Sequence, residues 1–196
     1  GNWAGVTVEK KEHVKKKGFY NSNQELIIVD LPGAYSMSPF TSEETVTRDY
    51  IINEKPDVII NIVDATNLSR SLFFTTQLLE LNIPVVIALN KSDLNKKKQN
   101  KINTELLSKK LNCPVVETIS TSSEGLLKVI ELAIDGIGKG QFAPFVQGNI
   151  DLTSKSQVKD ADKKRFQFVK SIVKDVETRK FFTKDRNSQD KIDAVI

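Results

Sequence analysis

Cysteine and histidine are almost missing from this chain, and each scarcity closes off a class of chemistry. Cys113 is the only cysteine, which rules out an internal disulfide and suits a reducing, cytosolic setting. His13 is the only histidine, so neither a His/Cys metal cluster nor a histidine-based triad can be assembled within one chain. Long apolar runs are lacking too. The longest, Val58-Ile59-Ile60 and Val85-Val86-Ile87-Ala88-Leu89, have the length of strands, far short of the roughly 18 residues of a spanning helix. No initiator methionine or signal-peptide pattern stands at Gly1, and Ile196 falls inside an apolar-periodic segment; a piece of a longer chain is expected. Nowhere does the phosphate-cradling pattern G-x-x-x-x-G-K-[ST] occur.

What is present fits one ordinary domain with an appendage: 196 residues, 39% hydrophobic and 28% charged. The net charge of +4 is carried by scattered lysines, which reads as solvated surface, and no nucleic-acid partner is expected. Residues 8–17 alternate and suit an exposed strand, while Glu25-Leu26-Ile27-Ile28-Val29 suit a buried one. Residues 57–63 and 84–89 are continuous β-rich runs, as expected of strands covered on both faces, and Val115-Val116 begins a shorter one. Helical spacing of apolar residues appears over 43–53, 69–81, 103–112 and 123–134. Strand and helix thus alternate from about residue 25 to 135, which predicts an α/β fold with a mostly parallel, doubly wound sheet. Residues 136–160, with Gly136, Gly138, Gly140, Pro144 and Gly148, read as a linker. A long helix follows near 161–178, and a short one is expected from about 185 to the end.

The strongest chemical signal is Asn90-Lys91-Ser92-Asp93, directly after the buried strand at 85–89, where open α/β sheets bind ligands. The Asp93 carboxylate can accept from both N1–H and the 2-amino group of guanine. Adenine offers neither donor and would leave the carboxylate unpaired, a discrimination of up to roughly 10⁴–10⁵. Asn90 would tie the base to neighbouring loops, and the Lys91 stem would cover the ring. Asp30-Leu31-Pro32-Gly33 follows another strand. In a nucleotide site its aspartate holds a magnesium-bound water and its glycine amide approaches the terminal phosphate; alone it is also an ordinary turn. Thr7, ahead of the first strand, is a candidate direct magnesium ligand of a switching loop. In Thr118-Ile119-Ser120-Thr121 a backbone amide, that of Thr121, would reach guanine O6, and a helix N-cap by Ser122 or Ser123 before Glu124 is an equally good reading.

These residues together resemble one family, the bacterial ferrous iron transport protein B. The resemblance is carried by residues 1–11, by Ile28 through Ser36, by Ser42-Glu43-Glu44, Arg48-Asp49-Tyr50 and Lys55 through Leu68, and returns at 161–196. It implies a P-loop GTPase-type sheet with flanking helices, whose first strand and P-loop are missing from this sequence, followed by a C-terminal helical segment. The implied division is a GTP-binding domain over 1–135, a linker or reduced helical insert over 136–160, and a segment over 161–196 leading to a membrane domain. It further implies GTP or GDP and magnesium as ligands, with Thr7 and Asp30 serving the metal. Asp30, Leu31, Pro32, Gly33, Asn90, Lys91, Ser92, Asp93, Ser120 and Thr121 would serve the nucleotide. Potassium would be held by backbone near Asn2 and Trp3, unless Trp3 simply packs. No glutamine follows Gly33, where Ala34 and Tyr35 stand instead, so water activation would fall to backbone and cation. The whole protein would move Fe(II) across a cell membrane, with this portion on the cytoplasmic side, its own transmembrane domain as partner, and self-association compatible with the pattern. Thr121 departs from the alanine usual in the family. Two other readings share the motifs: a soluble ribosome-associated GTPase, and a pseudo-GTPase interaction module.

Overall fold

A computed structural model describes residues 11–15, 26–37, 42–148, 150–151 and 154–179, with the backbone alone at 11–15 and 42–43. In chain order the elements are β1 (Lys11–Lys15), β2 (Leu26–Asp30), α1 (Ser42–Glu54), β3 (Ile59–Asp64), a single 3-10 turn (Ala65–Asn67) and α2 (Leu68–Leu79). There follow β4 (Val85–Asn90), α3 (Ser92–Lys97), β5 (Lys101–Ile102), α4 (Thr104–Leu111), β6 (Val115–Thr118), α5 (Leu126–Gly136), α6 (Lys155–Val176) and β7 (Glu177–Thr178).

The α/β alternation is present. Strands β3, β4 and β6 form a parallel sheet with β4 in the middle, β1 and β2 form an antiparallel pair, and β5 pairs with β7. Strand β4 explains why the sheet needs cover on both sides. Its Val85, Ile87 and Leu89 enter a large core with Leu68, Leu72, Leu78, Leu79, Leu107 and Leu111. Its Val86 and Ala88 point the other way, into a smaller core with Val129 and Ala133 of α5. A strand buried on both faces reads as a continuous apolar run because alternate side chains fill different layers.

Helix α6 closes the large core from outside with Val169, Ile172 and Val176. It begins at Lys155, six residues ahead of the start expected from the sequence. Its N-cap is Ser154, whose hydroxyl accepts from the Gln157 amide. The glycine-rich stretch before it is pinned rather than free-running. Gln141 accepts from the Val85 amide and donates to the Asn112 carbonyl at 3.0 Å, while Gln147 bonds Glu80, Ala161 and Arg165. Arg165 is only 3% exposed. Its guanidinium donates to Glu80 at 2.6 Å, to Gln147 at 3.1 Å and to Thr76 at 3.3 Å, and lies over the Phe145 ring.

Two expectations need correcting. Strand β2 is not buried: Ile27 is 60% exposed, and among the described residues β2 has β1 as its one ladder partner. Neither Ser122 nor Ser123 caps α5. Gly125 does, at φ 77°, where an added Cβ would stand 2.2 Å from the Glu117 carbonyl oxygen. Lys96 and Lys97 form the last turn of α3, with exposed side chains. Cys113 is buried, and burial pushes its thiol up to about 12, so it behaves as a small apolar side chain. The helix expected beyond residue 185 lies outside the described residues.

Two stability outcomes follow. Arg165→Ala leaves Glu80 and Thr76 without their buried partner and is expected to lower the unfolding free energy by about 3 kcal/mol in urea titrations. Gly125→Ala forces a Cβ against a backbone oxygen at positive φ and is expected to cost more than about 1 kcal/mol, read as a fall in melting temperature.

Candidate functional site

The parallel register brings three strand ends to one level: Asp64 of β3 pairs with Asn90 of β4, which pairs with Thr118 of β6. Each end then turns sharply in its own way. Asp64 starts the 3-10 turn, its Oδ1 accepting from the Thr66 amide at 2.8 Å and the Thr66 hydroxyl at 2.7 Å. After Asn90 the chain passes through Lys91 in the left-handed region, at φ 62°, and enters α3 with Asp93 in its first turn. A lysine in that region carries backbone strain, which proteins tend to keep where geometry serves a ligand. After Thr118 the chain makes a tight loop closed by a bridge between Ile119 and Glu124 and by the Gly125 cap.

Side chains cross-link these ends. Asn90 accepts from the Ser120 amide at 3.2 Å and offers its own amide to the Ser120 hydroxyl at 3.5 Å. Buried Ser92 donates to the Thr118 carbonyl at 3.4 Å. Lys96 pairs with Glu117 at 2.6 Å, and that hydrogen bond and charge hold the ammonium above the usual lysine range. Lys91 reaches back over β3 to Asp64 Oδ2 at 2.6 Å. The Asp64 bond lifts Lys91 above its ordinary range, with Tyr35 adding a weaker attraction. Asp64 itself is held below the usual carboxylate range: burial works against the charge, and the bonds from Lys91 and Thr66 outweigh it. Thr121 is exposed in the loop beside Ser120.

The Asp30–Gly33 segment leaves β2 and is strapped across α1 and α2. Leu31 packs on the large core, the Thr47 hydroxyl donates to the Pro32 carbonyl at 2.9 Å, and the Tyr35 amide donates to Glu44 at 3.3 Å. The Met37 amide donates to Gln77 at 2.8 Å, and the Arg70 guanidinium stacks 3.8 Å over the Tyr35 ring. Asp30 is exposed at the strand end. Gly33 is exposed as well, and a Cβ built there would touch nothing within 4 Å. Nothing in the described fold therefore demands glycine at 33, whereas close approach by a ligand to its amide would.

The structure gathers Asn90, Lys91, Ser92, Asp93 and Ser120 with Thr121 around one end of the parallel sheet. Asp30 to Gly33 lie at and just beyond the end of β2, which belongs to a separate sheet. Thr7, Asn2 and Trp3 lie outside the described residues. Among the described residues no three His, Cys, Asp or Glu side chains gather to cage a metal. Magnesium commonly binds through one or two carboxylates plus substrate phosphates, so a lone Asp30 carboxylate fits that mode and not a resident site. Sequence reasoning gave no role to Asp64 or Gly125. The available signals were a carboxylate ending an apolar strand and a glycine just before an apolar helix.

The family model for ferrous iron transport protein B matches residues 1–133. An Fe(2+) transporter of Salmonella typhimurium is 45% identical over 139 residues, and one of Escherichia coli is 43% identical over 139 residues. Both alignments cover 69% of this chain, which spans 17% of the length of these curated relatives. Among solved structures, the cytosolic domain of the T. maritima FeoB iron transporter in its GMPPNP form superposes with a TM-score of 0.75 at 25% identity, covering 91% of this chain and 88% of that one. A GDP-bound S. thermophilus NFeoB mutant gives 0.70 at 31% identity, covering 91% and 89%. With that match and these relatives, the chain belongs to the ferrous iron transport protein B family.

Proposed function

We propose that this chain carries the base-reading part and the switch segments of a GTPase domain on the cytoplasmic side of a ferrous iron transporter. The observation that carries the reading is Asn90-Lys91-Ser92-Asp93 at the carboxyl end of the central parallel strand, with Asn90 bonded to the Ser120 loop. Asp93 accepts from guanine N1–H and the 2-amino group, the Thr121 amide donates to O6, and Asn90 locks the two loops that do so. Asp30 and Thr7 serve magnesium, which neutralises phosphate charge when bound, and the Gly33 amide meets the terminal phosphate. Backbone near Asn2 and Trp3 serves a potassium ion.

The pattern G-x-x-x-x-G-K-[ST] does not occur in this sequence, so the proposed site needs a phosphate cradle supplied from beyond these residues. The β1–β2 pair and the β3–β4–β6 sheet are separate, and β3 has a free edge among the described residues. Beside that edge Ile60 and Ile62 of β3 are exposed, Ile62 to 70%. A further strand between β2 and β3, with a helix over Ile60 and Ile62, would join the two sheets and bring a glycine-rich loop between Asp30 and Asn90. Nucleotide exchange and hydrolysis would then move the 30–37 segment on α1 and α2, and α2 is tied by Glu80 to Arg165 of α6. That path leads toward the membrane domain of the full protein. Among the described residues no helix is long and apolar enough to cross a membrane.

Two measurements test this. In the full-length protein, Asp93→Asn replaces an acceptor with a group that can donate to the 2-oxo group of xanthine. Affinity for GDP is expected to fall about tenfold to a hundredfold and binding of xanthosine diphosphate to rise, by equilibrium dialysis; unchanged GDP affinity would sink the reading. The present chain without the cradle is expected to bind a fluorescent GTP analogue more weakly than micromolar, and tight binding would refute the need for an added loop.

A further inference from the structure

Lys91 is an unusual anchor for a base-reading loop. Its side chain is 49% exposed, its backbone sits in the left-handed region, and no side-chain cap steadies the start of α3. A free lysine stem in that position would lose rotamer freedom on being fixed against a ligand. Asp64 removes much of that freedom beforehand. It stands directly opposite Asn90 in the parallel ladder, one residue from Lys91. Its own orientation is set independently. Oδ1 is taken by the Thr66 amide and hydroxyl, and its backbone amide donates to the Ser71 hydroxyl at 3.2 Å. Oδ2 remains turned toward Lys91 Nζ at 2.6 Å.

We propose that Asp64 is the positioning residue of the base site: it stretches the Lys91 stem across the carboxyl ends of β3 and β4, as a floor for the face of a purine ring. The assignment rests on the guanine-nucleotide reading above. It separates two jobs within one short loop. Asp93 selects guanine by its edge, whereas Asp64, acting through Lys91, holds any purine by its face. As an exposed ion pair, Asp64–Lys91 contributes little to folding. Its effect therefore belongs to ligand residence, with the nucleotide-free protein melting as before.

The test uses the full-length protein and release of fluorescent GDP and IDP in stopped flow, with Asp64→Asn, Lys91→Met and the double variant. Asparagine keeps the Oδ1 acceptor for Thr66 and loses the charge that orders Lys91. Asp64→Asn is expected to speed release about tenfold, the scale of one charge-assisted contact. The factor should be the same for GDP and for IDP, which lacks the 2-amino group. Lys91→Met should speed release at least as much, and the double variant should release no faster than Lys91→Met. Unchanged release from Asp64→Asn overturns the assignment. So does a double variant equal to the product of the singles, or a changed GDP-to-IDP ratio, because either shows Asp64 acting on something other than Lys91. If the wild-type protein binds neither nucleotide, the guanine reading falls and takes this assignment with it.

Discussion

Strand β4 cannot slide by one residue relative to its neighbours, because its alternate side chains belong to different cores. A one-residue slip would turn Val85, Ile87 and Leu89 away from the large core and drive Val86 and Ala88 into it. The volumes do not match: the large core receives leucines from α2 and α4, the small one only Val129 and Ala133 among its buried residues. Packing therefore fixes register, and register places Asp64, Asn90 and Thr118 at one level. The polar links at the mouth, Lys91 to Asp64, Asn90 to Ser120 and Ser92 to Thr118, are available only at that register. Of the three only the Ser92–Thr118 bond is buried, yet all depend on apolar contacts several residues further back along the strands.

Helix α2 serves two masters. Arg70 and Gln77, seven residues and two turns apart, lie along one face and hold the 30–37 segment through Tyr35 and Met37. Thr76 and Glu80 grip Arg165 of α6. The helix itself is packed too tightly to bend, with Leu68, Leu72, Leu78 and Leu79 fully buried. A displacement of the 30–37 segment that pushed on α2 would be passed on to Arg165 as a rigid shift. Such transmission needs an electrostatic coupling that resists sliding, and a buried guanidinium held by a carboxylate, an amide and a hydroxyl supplies it.

Short-range pattern made part of the molecule legible. The apolar runs located β3 and β4, helical spacing located α1, α2, α4 and α5 to within a few residues, and Asn90 through Asp93 stood out because a polar tetrad followed a buried strand. What escaped was set by partners distant in sequence. Arg165 looks like any surface lysine or arginine of a charged helix until Glu80 and Thr76 arrive from more than eighty residues upstream. Gln141 and Gln147 look like linker residues until their amides meet Val85, Asn112 and Glu80. Asp64 acquires meaning only from lying opposite Asn90. Gly125 was hidden for a different reason: besides its positive φ, the nearness of the Glu117 carbonyl leaves no room for a Cβ, and that neighbour is set by the fold.

The unexpected exposure of Ile27, Ile60 and Ile62 is informative in the same terms. On β3 the inward positions Asn61 and Val63 are buried, while Ile60 and Ile62 point to the side on which α5 covers β4. The register sets Ile60 beside Val86 and Ile62 beside Ala88, so the covered and uncovered residues are immediate neighbours on one face. Burying an isoleucine is worth about 1.5–3 kcal/mol, a gain missing at Ile60 and Ile62 while they stay exposed beside the small core. Strand β3 retains apolar residues at both parities, the pattern of a strand covered on two sides. Among the described residues, its exposed face and free edge thus leave room for a second covering layer beside α5 and for a neighbouring strand. That neighbour would lie between Asp30 on one strand end and Asn90 on another, the position from which backbone amides could face the phosphates of a nucleotide if its base is held at Asp93 as proposed.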